Sequence, residues 1–517
     1  MRRRNPNRAD FVHGAMASAA GALLAPSFTT GTAFARGRER VAIVGAGIAG
    51  LSCALVLRDA GIDAAVYESS ARVGGRMHSE SSYWDDGQHT EWCGSMIDSD
   101  HHTLLALARR FGLPLVDTLS FLKPHARDTA FIGGSYYEPS QMDRDFGPVY
   151  RVLQQQLAGI GKVTTYDSAT PLARELDAIS MAQWLERYVP GGRASRFARL
   201  IEDGLANEYG IDATLQSSLN LVYMLGAQPV YGEHGKMMNV LGYSDQRFNI
   251  GTGNQQLPTA MSRALAPGSI RFGRRLLAIR KRPGGDYELR FSSAHGEERV
   301  YYDRVVLAIP FIALRGVDYA SAGFDARKQR AIDTLGYGVH TKLHVQFHGR
   351  PWERSGAPWF EPLTGQIWTD TGFQDSVDFT LGQHGSSGII ERFTYGTAGL
   401  IDVPPMPYAR IGDSPAVEAR VHAFFEQLDR IWPGVSRAWN GKATVGNAQA
   451  DPNILASYSC WLVGQYTSIA GYEQVRQGRV HFAGEHCSVN NQGFMEGGAE
   501  TGVTAAREIL ADYGVRG

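Results

Sequence analysis

Residues 40–68, RVAIVGAGIAGLSCALVLRDAGIDAAVYE, leave this chain few folds to choose from. Val41-Ala42-Ile43-Val44 is short, apolar and β-branched, the pattern of a strand buried on both faces of a parallel sheet. Gly45, Gly47 and Gly50 follow at G-x-G-x-x-G spacing. Residues 51–60 carry a helical period with Leu51, Leu55 and Val56 on the buried side, and Gly61 is placed to end the helix. Ala64-Ala65-Val66-Tyr67 makes a second strand that ends at Glu68. Each glycine has its own physical reason: Gly45 for the tight turn, Gly47 for close approach of a pyrophosphate to the backbone, and Gly50 for close packing of helix on sheet. The helix N-terminus adds free N–H groups and partial positive charge. Glu68 lies 18 residues after Gly50, where an acid reaches a ribose diol. Together these predict an α/β dinucleotide-binding domain, against the plainer reading of a glycine-rich turn followed by a surface glutamate.

Further motifs bear on which dinucleotide. Glu68 opens an E-x-x-x-R-x-G-G-R run through Arg72, Gly74, Gly75 and Arg76, in which backbone and a guanidinium can approach one pyrophosphate. Near the C-terminus, Val480-His481-Phe482-Ala483 reads as a strand ending in Gly484-Glu485, and a glycine-rich helix starts near Met495. A strand end and a helix N-terminus on two sides of one ligand suit a ribityl chain and a pyrimidine ring. Thr90 to Asp98 forms a loop containing Gly94, Ser95 and Met96, and Gly251-Thr252-Gly253 makes another glycine turn. Residues 270–282 and 286–290 alternate as antiparallel strands around Pro283-Gly284-Gly285, and residues 305–309 make a buried strand ended by Pro310. From Lys342 the chain alternates again, with Leu343, Val345 and Phe347 on one strand face and Lys342, His344 and Gln346 on the other.

These motifs resemble those of the flavin-containing amine oxidases, the group of monoamine, polyamine and L-amino acid oxidases. The resemblance is strong at both cofactor ends and weak between them. It implies a discontinuous, glutathione-reductase-like FAD-binding domain of Rossmann type with an inserted α+β substrate domain. The expected division is 1–35 export signal; 38–120, 245–325 and 451–517 FAD-binding; 121–244 and 326–450 substrate-binding. Carried over by motif, the FAD contacts are Gly45, Gly47, Ala49, Gly50, Glu68, Arg72, Gly75, Arg76, Gly94, Ser95, Met96, Leu276, Gly484, Glu485 and Met495. The family usually has two adjacent glycines where this chain has Cys93-Gly94. Tyr458 and Phe494 match the aromatic pair that holds the amine across the flavin, and Lys342 matches the lysine that holds a water against flavin N5. Tyr458 stands where monoamine oxidases carry the flavin-linked cysteine, with Cys460 two places on, so non-covalent FAD is expected.

Composition narrows the partners. A formal net charge of -1 over 517 residues, without a long like-charge run, argues against a nucleic-acid binder. The four cysteines are far apart and form no C-x-x-C, so neither a disulfide scaffold nor a metal site is read. Arg2, Arg3, Arg4 and Arg8 precede a weakly apolar stretch and an A-x-A site at Ala33-Phe34-Ala35. This start resembles a twin-arginine export signal, although Ala9 stands where the second arginine belongs. The expectation is an exported enzyme with no membrane span in the mature chain, and the alternative is a tail on a cytoplasmic one. The oligomeric state is left open.

The activity so implied is oxidation of a primary or secondary amine, with dioxygen as acceptor and hydrogen peroxide as product. An L-amino acid oxidase would need an arginine to grip the carboxylate, with Arg247 and Arg392 as the available candidates. An isoprenoid-type dehydrogenase would leave Lys342 and the aromatic pair unexplained, and so would a non-catalytic flavin-binding subunit. Glu202, Asp203, Glu208 and Tyr209 lie in the substrate half without a pattern that selects any of them.

Overall fold

The structure is a computed structural model that describes residues 40–226, 244–354, 361–401 and 403–515; the expected export signal lies outside them. Val41–Val44 is the central strand of a five-stranded sheet in the order Val480–Phe482, Arg304–Leu307, Val41–Val44, Ala64–Tyr67, Ile270–Arg271. Every neighbouring pair is parallel. Central strands of such a sheet are covered on both faces, and Val41, Ala42, Ile43 and Val44 are all buried. Helices Ile48–Asp59 and Met495–Asp512 pack against each other on one side. Glycine makes that contact possible: a Cβ on Gly502 would stand 2.1 Å from the Ala49 carbonyl oxygen.

The region 270–282 is not one strand. Ile270–Arg271 closes the edge of the parallel sheet, whereas Arg275–Lys281 joins Tyr287–Ser293 and Gly296–Tyr302 in a separate antiparallel sheet. Gly273, at φ +64°, sits in the break between them. Alternating hydrophobicity runs through both segments, so the sequence pattern does not mark the change of sheet.

The second large layer is an eight-stranded sheet in the order Tyr408–Arg410, Trp439–Asn447, His340–Phe347, Gly388–Tyr395, Gln374–Asp378, Leu363–Thr369, Arg127–Ile132, Ser135–Tyr136. Leu343, Val345 and Phe347 pack with Val421, Phe424 and Leu428 of helix Pro415–Ile431 on one face. The opposite face carries Lys342, His344 and Gln346, as the alternation predicts, and these too are buried. Helices Pro139–Ile160, Met181–Tyr188, Arg196–Tyr209 and Ser218–Gly226 contribute to a further core built around Trp184, Phe197 and Leu221. No helix of the described residues is long and apolar enough to cross a membrane.

Candidate active site

A cavity of about 610 Å³ runs from the glycine turn to the inner face of the eight-stranded sheet. Every residue assigned above by motif lines it except Gly50. A Cβ on Gly50 would lie 1.9 Å from the Gly45 carbonyl oxygen, so this glycine serves packing of the helix.

At the glycine end, Gly45 turns the chain at φ +105°, and a Cβ there would meet the Ala308 carbonyl oxygen at 2.5 Å. A Cβ on Gly47 would meet no protein atom within 4 Å, because that side of the backbone faces the cavity. The second glycine pair lies alongside: Gly74 N–H donates to Ala46 O at 2.9 Å, and a Cβ on Gly75 would be 3.6 Å from Gly47 Cα. The Glu68 carboxylate is fixed by the Ala46 and Ser70 N–H groups, both at 2.8 Å. Arg72 donates to Gly75 O at 2.7 Å, and Arg76 donates to Ser457 O at 2.7 Å and Glu485 Oε1 at 2.8 Å. Both guanidinium groups therefore brace the protein around the cavity. Open backbone at Gly47, the free helix N-terminus behind it and the acid at the strand end are what a dinucleotide diphosphate and ribose require, so the residues present fit FAD.

Midway, the 90–98 loop is tied down on two sides. Gly94 N–H donates to Arg76 O at 2.8 Å, and a Cβ on Gly94 would stand 2.8 Å from Met495 Sδ. Asn254, next to the Gly253 turn, donates to Gly94 O at 3.1 Å and Ser95 O at 2.6 Å. Cys93, in place of the second glycine, faces the cavity. Cys460 does not line the cavity; it is buried, opposite Gly336. Glu485 accepts from Ser459 Oγ at 2.6 Å and Gly493 N–H at 2.9 Å. Burial pushes its carboxyl up, but Arg76, His486 and Ser459 more than offset this and hold it below the ordinary range. Leu276 reaches the cavity from a bulged strand.

Lys342 sits where the loop meets the sheet. Its ammonium donates to Ser95 Oγ and to Glu391 Oε2, the latter at 3.2 Å. His344 Nε2 contacts the same Glu391 oxygen at 2.8 Å. Burial raises the Glu391 carboxyl, yet Lys342 and His344 pull it below the usual value. Lys342 and Glu391 thus form a buried, hydrogen-bonded ion pair. Tyr458 OH lies 3.0 Å from His340 Nε2, and His340 stacks on Phe393 at 4.3 Å. Burial drives the His340 pKa down to about 3, so its ring is neutral. Phe494 rests edge-on against His101 at 5.2 Å, and the preceding Gly493 lies beside the Tyr458 ring.

Sheet register explains which side chains share the cavity. Lys342 pairs with Phe393, Phe393 with Asp375, and Asp375 with Trp368 across adjacent antiparallel strands. Directly opposed residues share a face, and these four side chains line the cavity. Arg392, one residue from Phe393, must point the other way; its guanidinium lies 5.8 Å from the Phe424 ring, on the helix side. Arg247 is paired with Asp117 at 2.6 Å, away from the cavity. Neither is placed to grip a substrate. Of the four acids and aromatics left unselected above, Glu208 and Tyr209 line the cavity, while Glu202 pairs with Arg193 and Asp203 with Tyr395. Sequence reasoning missed Glu391, His340, Asn207 and Asp375. The alternation in 374–378 and 388–395 marks the faces of Asp375 and Glu391, but the strands these pair with, and the approach of Asn207 from helix Arg196–Tyr209, are set at long range.

The sequence profile of the family described as flavin containing amine oxidoreductase matches residues 48–510. A putative L-amino-acid oxidase of Bacillus subtilis is 23% identical, over 91% of this chain and 94% of its own. Polyamine oxidase 3 of Oryza sativa subsp. japonica is 24% identical, over 90% of this chain and 88% of its own. Among solved structures, putrescine oxidase bound to putrescine has a TM-score of 0.75 at 20% identity, covering 92% of this chain and 99% of that one. Cyclohexylamine oxidase from Brevibacterium oxydans IH-35A has a TM-score of 0.75 at 19% identity, covering 92% and 100%.

Proposed function

The chain belongs to the flavin-containing amine oxidoreductases, and we propose from its site that it oxidises an amine lacking an α-carboxylate, with non-covalent FAD and dioxygen as acceptor. The overall conversion takes a primary amine, dioxygen and water to an aldehyde, ammonia and hydrogen peroxide. FAD bound here would supply the two-electron acceptor for the amine carbon, with dioxygen as the final oxidant. Gly47, Glu68 and the start of helix Ile48–Asp59 would hold its diphosphate and adenosine side, and the loop through Gly94 with the start of helix Met495–Asp512 its ring side.

The protein's own part is to desolvate and align. Tyr458, Phe393 and neutral His340 give the reacting nitrogen aromatic neighbours that carry no charge of their own, which favours the free amine over the ammonium. A strong protein base is then unnecessary. Lys342, held by Glu391 and Ser95, presents a positioned ammonium where charge develops as dioxygen is reduced.

The observation that carries this reading is Lys342 itself: a buried lysine bridging the ring-side loop and the substrate face within one cavity. Among the described residues the amino acid oxidase reading lacks its arginine. The arginines lining the cavity are Arg72, Arg76, Arg274 and Arg275; Arg274 is paired with Glu298, and Arg275 donates to Pro452 O and Asn453. Residues 227–243 and 355–360 contain no arginine in their sequence. Product analysis tests the proposal. The expected result is aldehyde, ammonia and peroxide in equal amounts from an amine, with no turnover of the corresponding α-amino acid; the reverse preference contradicts it.

A further inference from the structure

The half of the cavity beyond Lys342 carries an acid that the reaction above does not use. Asp375 lies two strands from Lys342 in the cross-strand row, with Phe393 between them. At about 4.8 Å per strand, the two backbone positions are about 10 Å apart. Asp375 is 8% exposed, and its carboxylate accepts from Asn207 Nδ2 at 2.8 Å and from Gln366 Nε2. Those amides leave part of its acceptor capacity unfilled.

Among the described residues Asp375 has no cationic partner. The groups that act on it most strongly are Glu391, the Asn207 and Gln366 side chains and the Ser376 backbone, none of them positive. Burial and the Glu391 charge push its carboxyl well above the ordinary range. A buried carboxylate without a countercharge is costly to keep. Beside it, Asn207 Oδ1 is buried with no hydrogen-bond partner among the described residues, on a side chain whose residue is only 6% exposed and lines the same cavity. Donating Nδ2 to Asp375 fixes which end of the amide is the acceptor. Glu208 lines the cavity as well. The one lysine that lines the cavity among the described residues, Lys342, is already paired with Glu391. Two acceptors in an amine cavity, with no donor cation between them among the described residues, ask for an N–H-rich positive group from the ligand.

We propose that Asp375 and Asn207 form a subsite for a second, protonated nitrogen of the substrate, so that the chain acts on aliphatic diamines or polyamines in preference to monoamines of equal length. This rests on the amine oxidase reading for which nitrogen reacts. The nitrogen near Tyr458 enters uncharged, while the distal one stays an ammonium and sets the register of the carbon chain. A monoamine leaves both acceptors unsatisfied, and so does an ω-alkyl extension of it.

The test is binding measured separately from turnover. Holoenzyme, kept anaerobic, is titrated by calorimetry with aliphatic diamines of three to six carbons and with monoamines of matched length, and flavin bleaching is followed in parallel. For wild type, the best diamine should bind at least about tenfold more tightly than its matched monoamine, the scale of one hydrogen bond to a charged group. Asp375→Asn, which keeps the side-chain shape, should reduce that preference by about tenfold or more. Retained flavin absorbance and an unchanged melting temperature establish that the variant is folded. If Asp375→Asn fails that control, the wild-type preference alone decides. Equal affinity for the two classes, or a diamine preference that survives intact in folded Asp375→Asn, overturns the subsite. Diamine binding that depends on Asp375 but bleaches no flavin leaves the subsite standing and removes the amine oxidase reading instead.

Discussion

Gly45 and Gly47 sit two residues apart in one turn, yet the structure assigns them opposite consequences on substitution. Gly47 has φ -73° and ψ 178°, ordinary extended backbone, and its missing Cβ would meet nothing within 4 Å. Alanine there should change the stability of the apoprotein little. Restricting the unfolded chain stabilises by about 0.4–1 kcal/mol, while alanine is a poorer N-cap than glycine by a comparable amount. The methyl group does occupy the face the diphosphate must approach. An overpacked contact costs about 1–3 kcal/mol, so FAD affinity should fall about ten- to hundredfold. Gly45→Ala is the mirror case. Its φ of +105° strains any side chain, and its Cβ would lie 2.5 Å from the Ala308 backbone oxygen. Strain of that kind costs about 1–3 kcal/mol before the neighbouring strand moves at all. The assay is a pair of melting curves on apoprotein with an FAD titration on each variant. Gly47→Ala should melt with wild-type apoprotein and bind FAD poorly, and Gly45→Ala should melt lower. Tight FAD binding by Gly47→Ala, or an equal loss of apoprotein stability in both variants, would refute the reasoning.

Other perturbations separate the roles further. Lys342→Met removes the ammonium beside Ser95 and Glu391; reoxidation of the reduced enzyme by dioxygen should slow about ten- to hundredfold while anaerobic reduction by amine changes less, as read by stopped flow. Asp203 has one carboxylate oxygen bonded to Tyr395 and the other buried without a partner among the described residues, and burial lifts its pKa to about 7. A raised carboxyl binds more protons folded than unfolded, so its burial costs stability as pH rises from 3.8 towards about 7. Asp203→Asn should therefore raise the melting temperature more at about pH 8 than at about pH 5, and an equal shift at both contradicts the assignment. Acid precipitation of the holoenzyme should leave all of the yellow chromophore in the supernatant, since Cys460 is buried outside the cavity. A yellow pellet would point to Cys93, the one cysteine lining the cavity, and Cys93→Ser would check it.

The cofactor end was legible because its determinants are local. Gly45, Gly47, Gly50 and Glu68 lie within one strand–helix–strand unit, and the structure forms that unit with both strands at the expected residues and the helix starting three residues earlier than its period suggests, at Ile48. Gly50 is the instructive exception within it. The same spacing that marks a ligand contact also marks a packing position, and only the would-be Cβ clash separates them. The substrate end was legible only at Lys342. Its alternation correctly put Leu343, Val345 and Phe347 on the opposite face, but it could not tell that both faces are buried, because helix Pro415–Ile431 covers one and Trp84, Gln88 and Ser95 pack on the other. Asp375, Glu391 and Asn207 come from segments remote from Lys342 in sequence and meet through strand order and one crossing helix. Arg392 shows the same limit in reverse. It looked available in the sequence, and a one-residue step in register from Phe393 turns it towards Phe424. The parallel edge strand Ile270–Arg271 was merged with its neighbour because a change of sheet leaves no mark on alternation.

The central claim is that this cavity removes two electrons from an amine and not from an amino acid. Anaerobic mixing of the yellow holoenzyme with a panel of amines and the corresponding L-amino acids tests it most directly. Bleaching of the flavin by amines alone, followed by peroxide release when air is admitted, is the predicted result. Bleaching by the amino acids alone, or by neither class, would contradict the account.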